Sequence, residues 1–456
     1  MQKWFRIRER GSTVRAEVVG GVTTFVSMAY IIVVNPAILS FAGIPAGPST
    51  VATILTAVFG TLLMGLYANR PIAVAPYMGE NAFIAFGLAA MGIGWQQRLG
   101  AVFVSGVIFL IITLLGIRTW LASAISTSLK HSFAAGIGLF LTFIGLYETG
   151  IVTSSVAGMP ANALLDAGGK LLRAPEVPVK IGNLASAPVL LAVLGFVITA
   201  ALLHRRVRGA ILIGMAVTAA IGYALGIAAA PRAVMALPFR GDYSLGAIAL
   251  HLDIVSTLRI SFLPILLTLF LMSLLDTLGT LVGVGAASGM LDDKGNFPQI
   301  EKPMTVDALA CMFSGLIGTS TSGAYIESAT GIREGARTGL AAVVTAALFA
   351  VSLFFIPLFE PLQTLRYAYA PALLVVGMLM LPSIGKIAFD DVTELVPAFA
   401  TITVMVFTYN IANGLTAGLV LHPLMKVLAG RWRQVSAGSV VFAALCLVYY
   451  VFGVPH

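Results

Sequence analysis

Apolar residues occur in this chain in long, nearly uncharged blocks, which constrain the fold more than any other feature. Most blocks are about 17–25 residues long, enough for a helix to cross the hydrocarbon core of a bilayer. The 456 residues are 59% hydrophobic and only 10% charged, whereas a soluble domain carries about 25% charged residues. A soluble protein could not cover its surface with so few charges. The sequence therefore predicts an all-α polytopic membrane protein.

The apolar blocks predict fourteen transmembrane segments. They cover 17–38, 50–68, 72–91, 97–117, 131–148, 187–204, 209–229, 260–287, 303–318, 320–332, 336–358, 369–383, 393–409 and 412–428. Residues 1–16 form an N-terminal segment before the first span, and residues 230–258 form an exterior loop. The terminal apolar segment, 437–453, is long enough for either a further crossing or a re-entrant element.

Basic residues collect in short loops, and their placement explains the net charge of +8 without nucleic acid as a partner. Such clusters are typical of cytoplasmic loops, where they orient the spans. The pattern predicts a multi-pass protein of the cell's inner (plasma) membrane with a cytoplasmic N-terminus. The clustered residues are Lys3, Arg6, Arg8, Arg10, Arg15, Arg205, Arg206, Arg208, Lys426, Arg431 and Arg433.

Two of the spans contain residues that oppose a continuous helix. In PIAVAPYMGENAFIAFGLAAM, 71–91, Pro71 and Pro76 cannot donate backbone hydrogen bonds. This pattern predicts an extended piece and then a half-helix that begins near Met78. In GTSTSGAYIESATG, 318–331, residues with hydroxyl groups and glycines come first, and a short run of residues that ends at Gly331 follows. This pattern again predicts an extended piece and then a half-helix.

The two broken spans are the third and the tenth of fourteen, so they occupy matching places in a seven-plus-seven scheme. Such pairs are typical of transporters built from inverted repeats, which predicts one repeat over 17–229 and another over 260–428. Non-helical backbone at membrane depth needs hydrogen-bond partners. We therefore expect the two extended pieces to pair with each other.

Three carboxylates stand out inside the predicted spans: Glu80 in the third, Asp276 in the eighth and Glu327 in the tenth. A carboxylate at mid-membrane costs at least ~2.5–3.5 kcal/mol, and such residues usually mark a pathway or a ligand site. The alternative is that each one pairs with an arginine or a hydroxyl and joins helices. No Lys or Arg lies within fifteen residues of Asp276, which favours a functional role for this residue.

Polar and aromatic residues beside these acids complete the candidate site. Asn81 follows Glu80, so on a helix the two side chains diverge by about 100°. Asn81 is the better substrate contact, because a neutral amide both donates and accepts. Glu80 is either a carboxylate at a helix N-terminus, where the helix dipole stabilises it, or a substrate contact. Phe83 and Tyr325 either pack or flank a flat ligand, and Thr321 either caps the tenth half-helix or lines the cavity.

The sequence contains no phosphate-binding loop, no metal-ligand cluster and no nucleophile–base pattern. Secondary transport needs none of these, so we expect a transporter without cofactor or metal and not an enzyme. Alternatives that remain open are an anion carrier or other-solute carrier of the same architecture, and a channel or receptor.

Six motifs together resemble the AzgA-like branch of the nucleobase–cation symporter-2 family, which contains purine permeases. The resemblance extends over nearly the whole chain. The motifs are RGSTVRAEVVGGVTTFVSMAYIIVVNPAIL, APYMGENAFIAF, SLLDTLGTLVGV, LDDKGNFPQ, GTSTSGAYIESATGIREGARTGL and TELVPAF.

The resemblance implies a core domain and a gate domain, proton symport of adenine, guanine or hypoxanthine, and often a homodimer. It also implies that Asn81, Asp276 and Glu327 contact the purine, with Asp276 and Glu327 as candidates for proton coupling. One residue departs from the family pattern, because the branch commonly has leucine where this chain has Glu80.

Overall fold

The fold is that of a computed structural model of the chain. The structure describes residues 2–116, 124–157, 178–231, 233–288, 290 and 297–452. Most of the motif LDDKGNFPQ, which contributes to the resemblance, lies outside the described residues.

Each predicted span coincides with one helix, with two consecutive helices, or with a strand followed by a helix. The helices are α1 (Gln2–Phe5), α2 (Val14–Met28), α3 (Ile31–Phe41), α4 (Ala46–Leu66), α5 (Met78–Ala82), α6 (Leu88–Ala90), α7 (Trp95–Leu114), α8 (Thr127–Glu148), α9 (Ala187–His204), α10 (Ala210–Ala224), α11 (Ile254–Thr257), α12 (Leu263–Ser288), α13 (Glu301–Ile317), α14 (Ser328–Arg333), α15 (Gly339–Ser352), α16 (Ile356–Thr364), α17 (Arg366–Met380), α18 (Val392–Phe407), α19 (Ile411–Leu428) and α20 (Ala437–Phe452). The strands are β1 (Val74–Pro76), β2 (Val152–Ser154), β3 (Val179–Ile181) and β4 (Ser322–Ala324).

Helix length and composition agree with a polytopic membrane protein. Among the described residues, nine helical stretches are long and apolar enough to cross a bilayer, and three shorter apolar helices accompany them. The number of crossings stays a prediction, and so do the two alternatives for α20, a further crossing or a re-entrant element.

The structure differs from the predicted elements in two places. The first span is two helices and not one, because the chain turns at Ala29 and Tyr30 between α2 and α3. A second short sheet, which the sequence did not predict, pairs β2 antiparallel with β3. The turn in the first span has a consequence for the site, because it positions the side chain of Tyr30.

The helices pack in two groups. The first group contains α2–α7 with α12–α15, and the second contains α8–α10 with α17–α20, while α16 contacts both. These groups correspond to the predicted core and gate. Small residues allow close approach in the core: a Cβ at Gly339 would overlap the carbonyl oxygen of Gly65, so α15 and α4 meet backbone to backbone.

The packing has the symmetry that two seven-span repeats predict. In the core, the second span (α4) packs on the eleventh (α15), and the fourth (α7) packs on the ninth (α13). In the gate, the sixth span (α9) packs on the twelfth (α17), and the fifth (α8) packs on the thirteenth (α18). Within each group, one pair of spans corresponds to the other when first-repeat spans are exchanged for their second-repeat equivalents, whose numbers differ by seven.

A buried carboxylate joins the first span to the eleventh at the start of α15. The Glu17 side chain is fully buried and accepts hydrogen bonds from the backbone N–H groups of Arg337 (2.8 Å), Thr338 (3.1 Å) and Ala341 (3.3 Å). These donors lie at the start of α15, where the first N–H groups of a helix have no partner within it. Glu17 is therefore a structural acid that caps a helix.

Candidate functional site

The centre of the site is a strand pair formed by the two broken spans. β1 and β4 are antiparallel, with Val74 opposite Ala324, Ala75 opposite Gly323 and Pro76 opposite Ser322. Both strands are buried. This pairing confirms the prediction that the third and tenth spans are broken by short extended pieces.

Backbone hydrogen bonds continue the pair beyond the strands. The Tyr77 N–H donates to the Thr321 carbonyl and the Tyr325 N–H donates to the Ala73 carbonyl, both at 2.9 Å. Helix α5 then begins at Met78, and a π-helical turn, Phe83–Gly87, follows it. Such turns are frequent at functional sites.

Glu327 lies directly before α14 and receives a hydrogen bond from the first span. The Tyr30 hydroxyl donates to Glu327 Oε1 at 2.8 Å. Tyr30 is fully buried at the turn between α2 and α3. The sequence analysis missed Tyr30, because the first span was predicted as one continuous helix with no special position in it.

Glu80 comes from the first half of the chain and Asp276 from the second, and the two acids lie close together. Glu80 is fully buried on α5, and neither carboxyl oxygen receives a hydrogen bond from a described donor. Its carboxyl group lies close enough to the Asp276 carboxyl on α12 for the two acids to influence each other's charge. Tyr325 lies close enough to Glu80, Asp276 and Glu327 to interact electrostatically with all three.

Asn81 is directed away from Glu80, as two consecutive helical residues require. Its side-chain amide donates to the Asn35 carbonyl at 3.3 Å, and its Oδ1 is buried without a partner among the described residues. Asn35 in turn donates to Thr53 (2.7 Å) and Thr319 (2.9 Å) and accepts a hydrogen bond from the Ser320 hydroxyl (3.1 Å). The buried Asn35, which the sequence analysis did not single out, therefore joins the first, second, third and tenth spans.

A fourth acid, Asp307 on α13, supports the strand pair. It is fully buried and accepts hydrogen bonds from the Ala324 N–H (3.0 Å) and the Thr277 hydroxyl (2.8 Å). The Tyr77 and Thr277 hydroxyls are 3.0 Å apart. Asp307 lies within the predicted ninth span, so the rule that selected the other three acids should have selected it too.

The remaining predicted residues surround the strands. The rings of Tyr77 and Tyr325 are nearly parallel, with centroids 6.4 Å apart, and the Tyr325 hydroxyl donates to the Pro76 carbonyl. Phe83 is fully buried at the start of the π-helical turn. The Thr321 hydroxyl is buried and has no partner among the described residues.

A second polar cluster lies at the start of α18 and the end of α19, far along the chain from the strands. Glu394 contacts Lys426 at 2.9 Å and His422 at 3.2 Å, beside a cavity of about 160 Å³. Hydrogen bonds from Thr393, assisted by Lys426, hold the pKa of Asp391 at about 2. Among the described residues, Glu394 has two basic partners, Lys426 and His422, whereas Glu80 has none.

These features define a membrane transport protein: a polytopic helical fold with two broken spans that pair at its centre and buried acids around the pair. The chain belongs to the permease family whose model, Xan_ur_permease, matches residues 15–416. This confirms the predicted membership of the nucleobase–cation symporter-2 family.

Relatives of the chain match it over nearly its full length. It is 37% identical to the adenine permease AdeP of Escherichia coli, over 100% of this chain and 97% of the relative. It is 35% identical to the guanine/hypoxanthine permease PbuO of Bacillus subtilis, over 97% of this chain and 99% of the relative.

Solved structures share the fold at low sequence identity. The transmembrane domain of the cyanobacterial bicarbonate transporter BicA has a TM-score of 0.60 at 16% identity, over 88% of this chain and 97% of that domain. The murine anion transporter Slc26a9 has a TM-score of 0.63 at 10% identity, over 91% of this chain and 69% of that chain.

Gly323→Ala should disrupt the strand pair, because a Cβ at Gly323 would overlap the Tyr77 hydroxyl. We expect the thermal unfolding midpoint of the purified protein in detergent to fall by about 5 °C or more. Gly279→Ala is the matched control, because a Cβ at that helical glycine meets nothing within 4 Å. Equal midpoints for the two variants would contradict the tight packing described for β4.

Proposed function

We propose that this chain is a secondary active transporter that imports purine nucleobases, namely adenine, guanine or hypoxanthine, by proton symport and alternating access. The observation that carries the proposal is the placement of Glu80, Asp276 and Glu327 around the paired broken spans. It is supported by the 37% and 35% identity to relatives named as adenine and guanine/hypoxanthine permeases.

Glu327 is the proposed acceptor for the purine. A purine carries N–H donors on its edge, and a carboxylate accepts them in charge-assisted bonds that are about twice as strong as neutral ones. The Tyr30 hydroxyl occupies one oxygen of Glu327. That bond orients the carboxyl group and leaves the other oxygen available to the ligand.

Asn81 and the aromatic residues are the proposed orienting groups. The buried, unpartnered Oδ1 of Asn81 can accept from an exocyclic amine or a ring N–H. Thr321 supplies a buried hydroxyl that can donate to a ring nitrogen. Tyr325 and Phe83 flank the acids and offer flat apolar surface to a heterocycle.

Alternating access would move the core group against the gate group. An aromatic contact joins the two groups at the π-helical turn: the Phe86 ring of the core lies 5.7 Å from the ring of Tyr409, which lies between the gate helices α18 and α19. The Arg366 guanidinium, on the gate helix α17, lies 5.5 Å over the Phe41 ring of the core. In the proposed cycle these contacts separate when the site opens on that side.

The proposed setting is the plasma membrane, with the N-terminus in the cytoplasm. The support is the clustering of basic residues in the loops assigned to the N-terminal side. The family resemblance adds a homodimer as the proposed assembly.

An anion carrier is the second candidate, because the related folds belong to a bicarbonate transporter and an anion transporter. Such a carrier needs positive charge at its site. Among the described residues, no Lys, Arg or His forms an ion pair with Glu80, Asp276 or Glu327. Three acids without a basic partner would repel an anion, which favours the purine.

Uptake of labelled hypoxanthine into proteoliposomes tests the substrate class. We expect saturable uptake that unlabelled adenine, guanine or hypoxanthine inhibits and that bicarbonate or sulfate does not. Inhibition by the anions alone would support the anion carrier, and uptake without saturation would support a channel.

Glu327→Ala and Asp276→Ala should each lower purine uptake at least about tenfold while the protein still reaches the membrane. Loss of one charge-assisted hydrogen bond costs about 1.5–3 kcal/mol, which lowers kcat/KM by about tenfold or more. Glu360→Ala is the control, because that acid binds the Tyr243 hydroxyl (2.7 Å) away from the strand pair. Normal uptake by either site variant would remove that residue from the site.

A further inference from the structure

We propose that Glu80 and Asp276 form one proton site, in which a single proton is held between the two carboxyl groups. The inference rests on the proposed function and assigns the coupling proton to this pair and the purine to Glu327.

The contact itself requires a hydrogen. An ionised carboxylate only accepts hydrogen bonds, so two of them cannot bind each other directly. The carboxyl groups of Glu80 and Asp276 are nevertheless neighbours, and the 3.0 Å contact between the Tyr77 and Thr277 hydroxyls fixes the adjoining parts of the two segments. Both oxygens of Glu80 are buried and lack a described donor, so a proton on one carboxyl group is what completes the contact.

Among the described residues, no Lys, Arg or His forms an ion pair with either carboxyl group. The titratable groups that face the pair are acids, phenols and a thiol: Tyr77, Tyr325, Asp307, Cys311 and Glu327. On the gate side, the side chain that packs on α5 is the apolar Ile137. Two negative charges in contact repel strongly in a buried site, so two carboxyl groups without a basic partner retain one proton.

Glu327 differs from the pair in a way that separates their roles. Its carboxyl group receives a hydrogen bond from the Tyr30 hydroxyl at 2.8 Å, and a hydrogen bond of this kind favours the ionised form. Glu327 can therefore stay charged and accept purine N–H groups. The pair, which joins α5 of one repeat to α12 of the other, holds the proton.

Two substitutions at one position separate proton sharing from a general need for Glu80. In Glu80→Gln the amide donates to Asp276 and favours its ionised form, so the proton is no longer retained. We expect proton-driven purine accumulation in proteoliposomes to fall at least about tenfold. Exchange of internal for external purine, which needs no net proton movement, should continue.

Glu80→Leu removes the carboxyl group and supplies no donor. Asp276 then has no hydrogen-bond donor at position 80 and binds a proton alone, because an acid in a low-dielectric site without a donor favours its neutral form. Accumulation should therefore be at least about tenfold higher than in Glu80→Gln, although glutamine is closer to glutamate in shape. Glu360→Gln is the control, because Glu360 binds the Tyr243 hydroxyl away from the strand pair, and it should accumulate purine as the unmodified protein does.

Four results would overturn the proton pair: full accumulation by Glu80→Gln, equal defects in the Gln and Leu variants, loss of exchange in both, or accumulation driven by sodium without a pH gradient. Loss of exchange would indicate that Glu80 binds purine. Accumulation driven by sodium alone would indicate that a sodium ion, and not a proton, occupies the site between the two carboxyl groups. Absence of exchange in the unmodified protein would instead refute the proposed function, so the two failures are distinguishable.

Discussion

The antiparallel pairing of β1 with β4 is the interaction on which the rest of the structure depends. Two extended segments inside a helical membrane protein expose N–H and C=O groups that lipid cannot satisfy, and each unsatisfied group costs several kcal/mol. The segments satisfy each other, because the third span of one repeat meets the tenth span of the other. Neither half of the chain can bury its broken span without its counterpart.

The candidate site follows from that pairing. Asp307 accepts a hydrogen bond from the backbone of β4, and the Tyr325 hydroxyl donates one to the backbone of β1. Because the strands fix the residues that follow them, Glu80 and Glu327 are brought to the same region from opposite repeats. Tyr30 and Asp276 reach this region from the first and eighth spans, which occupy equivalent places in the two repeats. The site therefore shares the symmetry of the fold.

Features that depend on local sequence could be predicted, and features that depend on distant partners could not. Pro71 and Pro76 exclude a continuous helix, which identified β1, and the apolar blocks identified the spans. Tyr30 and Glu327 are 297 residues apart, and no local pattern links them. The turn at Tyr30 also lacks a proline or glycine that would have marked it.

Asp307 is a different case, because its position inside an apolar block was visible in the sequence. The role of Glu80 required the structure, since only the contact with Asp276 shows which groups this extra acid meets. Glu17 shows why a buried acid in a span does not by itself identify a ligand site. Its carboxylate is satisfied by backbone donors of α15, whereas that of Glu80 has no described donor.

The most direct test of the central claim is an experimental structure of the protein with hypoxanthine bound. The proposed site predicts ligand density beside the β1–β4 pair, with a ring nitrogen within hydrogen-bonding distance of Glu327. Density in the cavity beside Glu394 and His422, or at any position that leaves Glu327 without ligand contact, would contradict it.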